Sequence, residues 1–66
     1  MRTWLIKARK KAGLTQRELG DLIDKDITTI GKYENGSRTP RWPVAQRIGR
    51  VLDIDWTLFY SKEESA

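Results

Sequence analysis

The stretch LTQREL, residues 14–19, constrains this chain more than any other. Thr15 and Glu18 stand at the S/T-x-x-E spacing of a capping box. The Thr hydroxyl and the Glu carboxylate each accept an N–H that the first turn of a helix would leave unbonded. Leu14 and Leu19 flank the box where a hydrophobic staple closes it. A helix therefore opens just after Thr15, and Leu19, Leu22 and Ile23 carry its apolar positions to about Ile23. No segment alternates apolar and polar residues with period two, so no strand is expected anywhere.

Four further helices are legible around this one. Residues 2–12 put Leu5, Ala8 and Ala12 on one stripe, with Arg and Lys opposite, and Gly13 stops them. Asp24-Lys25-Asp26 is a polar break, and the Asp26 carboxylate can cap a third helix over 27–34. NGSRTP is a loop by composition, with a turn-prone Asn35-Gly36 and a Pro40 that cannot continue a helix. A fourth helix spans 42–52, with Pro43 in its first turn, where a missing N–H costs nothing. Trp42, Ala45, Ile48 and Leu52 recur along it at helical spacing. Asp55 caps a short fifth helix whose Trp56, Leu58 and Phe59 point back to the core. No internal repeat is evident and no linker divides the chain. The expectation is an all-α, five-helix bundle: one domain over 1–60 and a flexible tail over 61–66. Such a chain is near the lower size limit, hiding only about 60% of its unfolded surface.

Function classes narrow quickly. There is no cysteine and no histidine, which removes disulfides, thiolate metal sites and the common nucleophile–base pairs. No enzyme activity, metal, cofactor or small-molecule ligand is expected. No run reaches the ~18 apolar residues of a membrane span and nothing resembles a signal peptide, so a cytoplasmic protein is expected. The net charge is +4, and its bases fall in two blocks. Arg2, Lys7, Arg9, Lys10 and Lys11 form one; Lys32, Arg38, Arg41, Arg47 and Arg50 form the other. That arrangement suits a polyanionic partner, and equally a solvated face that aids solubility. Trp4, Trp42 and Trp56 could stack on single-stranded bases. Spread over three helices and mostly on apolar stripes, they read better as core or dimer packing.

Helix three has one unusual face. Thr28 and Lys32 are four apart, hence neighbours, and Gly31 beside them costs about 1 kcal/mol of helix stability relative to alanine. Close approach to another surface accounts for that cost. Two short helices joined by a three-residue turn form a helix-turn-helix, whose second helix enters a DNA major groove. Threonine offers a hydroxyl to base edges and a methyl to thymine; lysine donates to guanine O6 and N7.

Residues 13–36, GLTQRELGDLIDKDITTIGKYENG, resemble the phage-repressor/Cro-type helix-turn-helix (XRE) family of DNA-binding transcriptional regulators. The likeness is carried by Leu14-Thr15-Gln16, the small Gly20, Ile30 and the closing Glu34-Asn35-Gly36. Arg9, Pro40 and VLDIDWTLF extend it over about residues 4–60. The resemblance implies a lambda-repressor-like fold and a set of roles. Ile27, Thr28, Gly31 and Lys32 would read bases. Gln16, Thr29, Asn35, Gly36, Ser37, Arg38 and Arg41 would hold the DNA backbone or an outer base. Arg9 and Glu34 would form an internal salt bridge. It further implies double-stranded DNA as partner and repression by a dimer on a two-fold-symmetric operator. The dimer would be weak and made through helix five, at Leu58, Phe59 and Tyr60.

Three departures bear on these roles. The turn usually carries glycine and then an apolar residue, where this chain has Asp24 and Lys25. Leu22 or Ile27 is then expected to fill the missing plug, and an inward Ile27 would not read bases. Asp24 and Asp26 also bring negative charge toward the expected phosphates, and Gly20 replaces the usual alanine. The rival reading is a protein-interaction module, or an antitoxin, that keeps the fold with weak or no DNA binding.

Overall fold

The computed structural model describes residues 1–61. Among them it contains helices α1 (Thr3–Lys11), α2 (Gln16–Ile23), α3 (Ile27–Asn35) and α4 (Trp42–Leu52), then a 3-10 helix, Trp56–Tyr60, and no strand. The first four match the sequence reading to within a residue or so at each end. The fifth is a 3-10 helix: the Leu58 N–H reaches back to the Asp55 carbonyl at 3.1 Å, three residues away, where an α-helix spans four. The tail expected at 61–66 lies outside the described residues except for Ser61, whose N–H donates to the Leu58 carbonyl.

The capping box at Thr15 is complete. Glu18 N–H donates to Thr15 Oγ1 at 3.1 Å, and Thr15 N–H donates to Glu18 Oε1 at 2.9 Å. Leu5, Leu19, Ile23, Ile30, Tyr33, Ala45, Ile48, Leu52 and Phe59 make the core. Trp4 packs edge-on against Phe59, with centroids 4.9 Å apart. Trp42, by contrast, is 60% exposed and Leu22 58%, so both stand outside the core.

No gap is left for Leu22 to fill. Neither Leu22 nor Ile27, 43% exposed, enters the core. Gly20 removes the gap they would fill. A Cβ at Gly20 would overlap the Lys25 carbonyl oxygen and touch Ile30 at 3.4 Å. With glycine there, the backbone of the turn itself occupies that space, and the side chain of Lys25 is left outside.

A repeat missed in the sequence also becomes visible. Residues 20–30, GDLIDKDITTI, and 49–59, GRVLDIDWTLF, follow one pattern. In each, a buried glycine is followed by a buried aliphatic, Ile23 or Leu52, that closes the helix. An aspartate with positive φ comes next, Asp24 at 59° or Asp53 at 56°. The following N–H returns to the glycine carbonyl, from Lys25 at 2.8 Å and from Ile54 at 3.0 Å. A second aspartate, Asp26 or Asp55, then caps the next helix. Short polar Asp tolerates the left-handed region better than most side chains, which is why it serves where glycine is usual.

Candidate nucleic-acid interface

Helix α3 presents its predicted face to solvent. Asp26 opens the helix, its Oδ1 accepting the Thr29 N–H at 2.8 Å. Hydrogen bonds from Thr29 hold the Asp26 carboxyl below the usual carboxylate range, with the Lys32 charge adding a smaller pull. Ile30 and Tyr33 bury the inner face. On the outer face Ile27, Thr28 and Lys32 are exposed, and Thr29 is half-buried. A Cβ built on Gly31 meets nothing within 4 Å. The glycine is therefore not required by packing within this chain. Its effect is to keep the outer face flat.

Beyond α3 the chain turns sharply. Gly36 takes φ +86°, and Asn35 Oδ1 accepts the Ser37 N–H at 2.7 Å, an Asx turn. The side chains of Asn35, Ser37, Arg38 and Arg41 are all exposed around this turn. The loop thus sets two cations and two small polar groups beside the C-terminal end of the outer face of α3.

A buried polar cluster fixes α3 from behind. Arg9 Nε donates to Glu34 Oε2 at 2.6 Å, in a pair whose side chains are 11% and 5% exposed. Arg9 Nη1 also donates to the Leu14 carbonyl at 2.8 Å, joining the α1–α2 connection to the same node. Gln16 Nε2 donates to Glu34 Oε1 at 2.9 Å. A carboxylate only accepts, so this bond sets which way the Gln16 amide faces. Gln16 is half-buried and part of the cluster.

Arg2 is the residue that sequence reasoning missed. Counted there among exposed bases, it is only 4% exposed. Its guanidinium donates to the Tyr33 carbonyl at 2.7 Å, to the Arg38 carbonyl at 2.8 Å and to Thr39 Oγ1 at 2.6 Å. It also lies over the Phe59 ring, 5.3 Å from the centroid. Burial pulls its pKa below the ordinary arginine value, an effect that Tyr60 opposes. One signal was available. Arg2 stands at the N-cap of α1, where Ser, Thr, Asp or Asn is preferred, and it makes no side-chain cap. With Arg2 and Arg9 turned inward, the first basic block leaves Lys7, Lys10 and Lys11 exposed.

Phe59 packs into the core, as its place in the fifth helix predicted, which leaves Leu58 and Tyr60 of the expected dimer contact nearer the surface. It is 3% exposed, beneath Arg2 and beside Trp4. Trp42, Trp56 and Tyr60 instead make a chain of rings along the surface, with centroids 6.4 and 6.0 Å apart. Among the described residues no three acidic groups gather to hold a metal, and no helix is long and apolar enough to cross a membrane.

The known proteins most informative about this geometry are regulators. The model of a helix-turn-helix family matches residues 5–59. The chain is 38% identical over 60 residues to YqaF, an HTH-type transcriptional regulator of Bacillus subtilis; the match covers 91% of this chain and 79% of that one. It is 40% identical over 52 residues to an HTH-type transcriptional regulator of Methanothermobacter thermautotrophicus, covering 79% of this chain and 75% of the relative. It is also 34% identical over 50 residues to the antitoxin MqsA of Escherichia coli, covering 76% of this chain and 37% of MqsA. No solved structure matches at comparable significance. This chain belongs to the XRE-type helix-turn-helix family of DNA-binding transcriptional regulators.

Proposed function

We propose that this protein binds double-stranded DNA sequence-specifically with α3 in the major groove, acting as a repressor. The observation that carries the reading is the flat outer face of α3 flanked by exposed Ser37, Arg38 and Arg41. Thr28 and Lys32 read base edges across the space Gly31 leaves open, with Ile27, now outward, offering an apolar contact to thymine methyls. Asn35, the Gly36 amide, Ser37, Arg38 and Arg41 follow the phosphates and supply salt-dependent affinity. Thr29, half-buried near the start of α3, faces the backbone. Gln16 keeps one amide hydrogen on Glu34 and offers the other to a phosphate.

Two copies would occupy half-sites about one helical turn apart on a two-fold-symmetric operator. Leu58 and Tyr60 of the 3-10 helix, with exposed Trp42 nearby through Trp56, offer the contact surface; the pairing is weak in the absence of DNA. The test is selection from a random duplex library at physiological salt. Enrichment of a two-fold-symmetric motif supports the reading, and no enrichment sinks it.

The likeness to an antitoxin supports a second reading, a module that recognises a protein partner on the same fold. Joint substitution of Lys32→Glu and Arg38→Glu separates the two. Duplex binding is lost if the groove reading holds, and partner binding away from that face survives.

A further inference from the structure

The loop from Gly36 to Arg41 carries several of the proposed phosphate contacts, yet only Pro40 of its residues is buried. Apolar packing therefore does little to hold it. Its position depends on polar anchors at its two ends. At the far end, the Tyr60 hydroxyl donates to the Pro40 carbonyl at 2.8 Å. At the near end the Arg38 N–H donates to the Lys32 carbonyl at 3.2 Å, and the larger anchor is Arg2. Its backbone N–H donates to the Glu34 carbonyl at 2.7 Å. One guanidinium nitrogen bridges the Tyr33 and Arg38 carbonyls, and the other takes Thr39 Oγ1. Tyr33 and Glu34 are in the last turn of α3, where carbonyls have no intrahelical partner. Arg38 and Thr39 lie just past the turn. One planar fork thus spans the end of the recognition helix and the strand of loop that follows it. Its planarity fixes the angle between them, because the donors of a guanidinium cannot reorient independently. Phe59, packed beneath, sets the depth of the fork.

We propose that Arg2 is a positioning residue for DNA binding. It presets the 36–41 loop against α3, so that Arg38 and its neighbours meet the phosphates without first being ordered. It touches no base, so it adds affinity for every duplex and no sequence preference. The proposal rests on the DNA-binding reading above.

The experiment compares wild type, Arg2→Lys and Arg2→Met on two duplexes, a selected site and an unrelated sequence. Affinity is measured from about 50 to 200 mM salt, well below each variant's melting temperature. Arg2→Met keeps an apolar stem over Phe59 and removes the fork; Arg2→Lys restores charge without the fork. The expected result for Arg2→Met is binding about tenfold weaker on both duplexes, an unchanged ratio between them, and a salt slope shallower by about one phosphate contact. Arg2→Lys recovers little of this. Arg38→Ala, added to Arg2→Met, costs far less than it does in wild type. If Arg2→Met lowers the melting temperature but leaves affinity and salt slope at wild-type values, Arg2 is only a stability residue and the proposal fails. A wild type that binds neither duplex overturns the DNA reading itself, a distinct outcome. Should Arg2→Met not fold, Thr39→Val removes one arm of the bridge at an exposed site. Weaker binding to both duplexes by Thr39→Val supports the proposal, and unchanged binding overturns it.

Discussion

The turn between α2 and α3 and the turn between α4 and the 3-10 helix are built alike and lead to different elements. Each has a glycine under the turn, a left-handed aspartate and a capping aspartate at the same spacing. They part at the cap. Asp26 Oδ1 takes the N–H of Thr29, three residues on, and the Ile30 N–H bonds the Asp26 carbonyl, opening an α-helix. Asp55 Oδ1 takes the N–H and hydroxyl of Thr57, two residues on, and the chain winds tighter into a 3-10 helix. In the first turn the threonine two residues after the cap, Thr28, is left facing solvent on the outer face of α3. In the second, the equivalent Thr57 is consumed by the cap. Length follows from what waits at the far end. Helix α3 runs nine residues to a terminus held by Arg2 and Arg9, while the 3-10 helix runs five and ends at Ser61. The same local turn thus yields a nine-residue α-helix or a five-residue 3-10 helix, depending on partners outside it.

Removing those partners should have the largest effect. Arg9→Ala leaves the buried Glu34 carboxylate without its cation, at an expected cost of about 3–5 kcal/mol. A domain this small holds little more than that in total stability, so calorimetry should show near-complete loss of folding at 37 °C. Amide exchange on the surviving folded fraction should open the end of α3 before the 3-10 helix. If the 3-10 helix opens first, the cluster does not account for the length of α3.

The glycines come next. At Gly20 a methyl would overlap a backbone carbonyl, which cannot give way cheaply. At Gly49 it would stand 2.9 Å from both the Ile54 oxygen and Trp56 Cβ. Both alanine variants should lose about 1–3 kcal/mol to overpacking, Gly20→Ala the more. Only Gly20→Ala should also weaken duplex binding, since it displaces the turn that aims α3. Equal binding by both variants would break the distinction between the two turns.

Relieving the left-handed aspartates should stabilise. Asp24→Gly and Asp53→Gly each remove a side-chain penalty of about 1 kcal/mol, partly offset by the greater freedom of glycine when unfolded. Chemical melts should move up slightly for both. Asp24→Gly alone should strengthen DNA binding at low salt, because it removes negative charge beside the start of α3. An identical gain from Asp53→Gly would mean a general charge effect.

The smallest effect is on acid stability. The carboxyls of Asp26 and Asp55 are both held below the ordinary value, Asp26 by the Thr29 N–H and Asp55 by the Thr57 hydroxyl. Their contribution is therefore complete above about pH 4, the unfolded value, and is lost as the pH falls through the lower folded value. Asp26→Asn and Asp55→Asn retain a capping oxygen and should each flatten the acid limb of the stability curve. An unaltered acid limb in both would show that the caps do not drive acid unfolding.

Local chemistry in the sequence was enough to set the α-helices and the site's outer face. Thr15 with Glu18, Asp26, Gly36 and Pro43 act within a turn or two of themselves, and Thr28 and Lys32 share a face by periodicity alone. The resemblance to the family supplied the pairing of Arg9 with Glu34, which no local spacing contains. The tertiary structure decided what depends on distant partners. Arg2 reads as one more surface base until Tyr33, Arg38, Thr39 and Phe59 surround it. Phe59 reads both as a core residue and as a dimer contact, and packing puts it in the core. Leu22 and Ile27 stay outside because the backbone at Lys25 fills the space above Gly20. Capping and periodicity are short-range and survive in a one-dimensional code. Burial is settled by which elements compete for the same volume, and that competition exists only once the helices have packed.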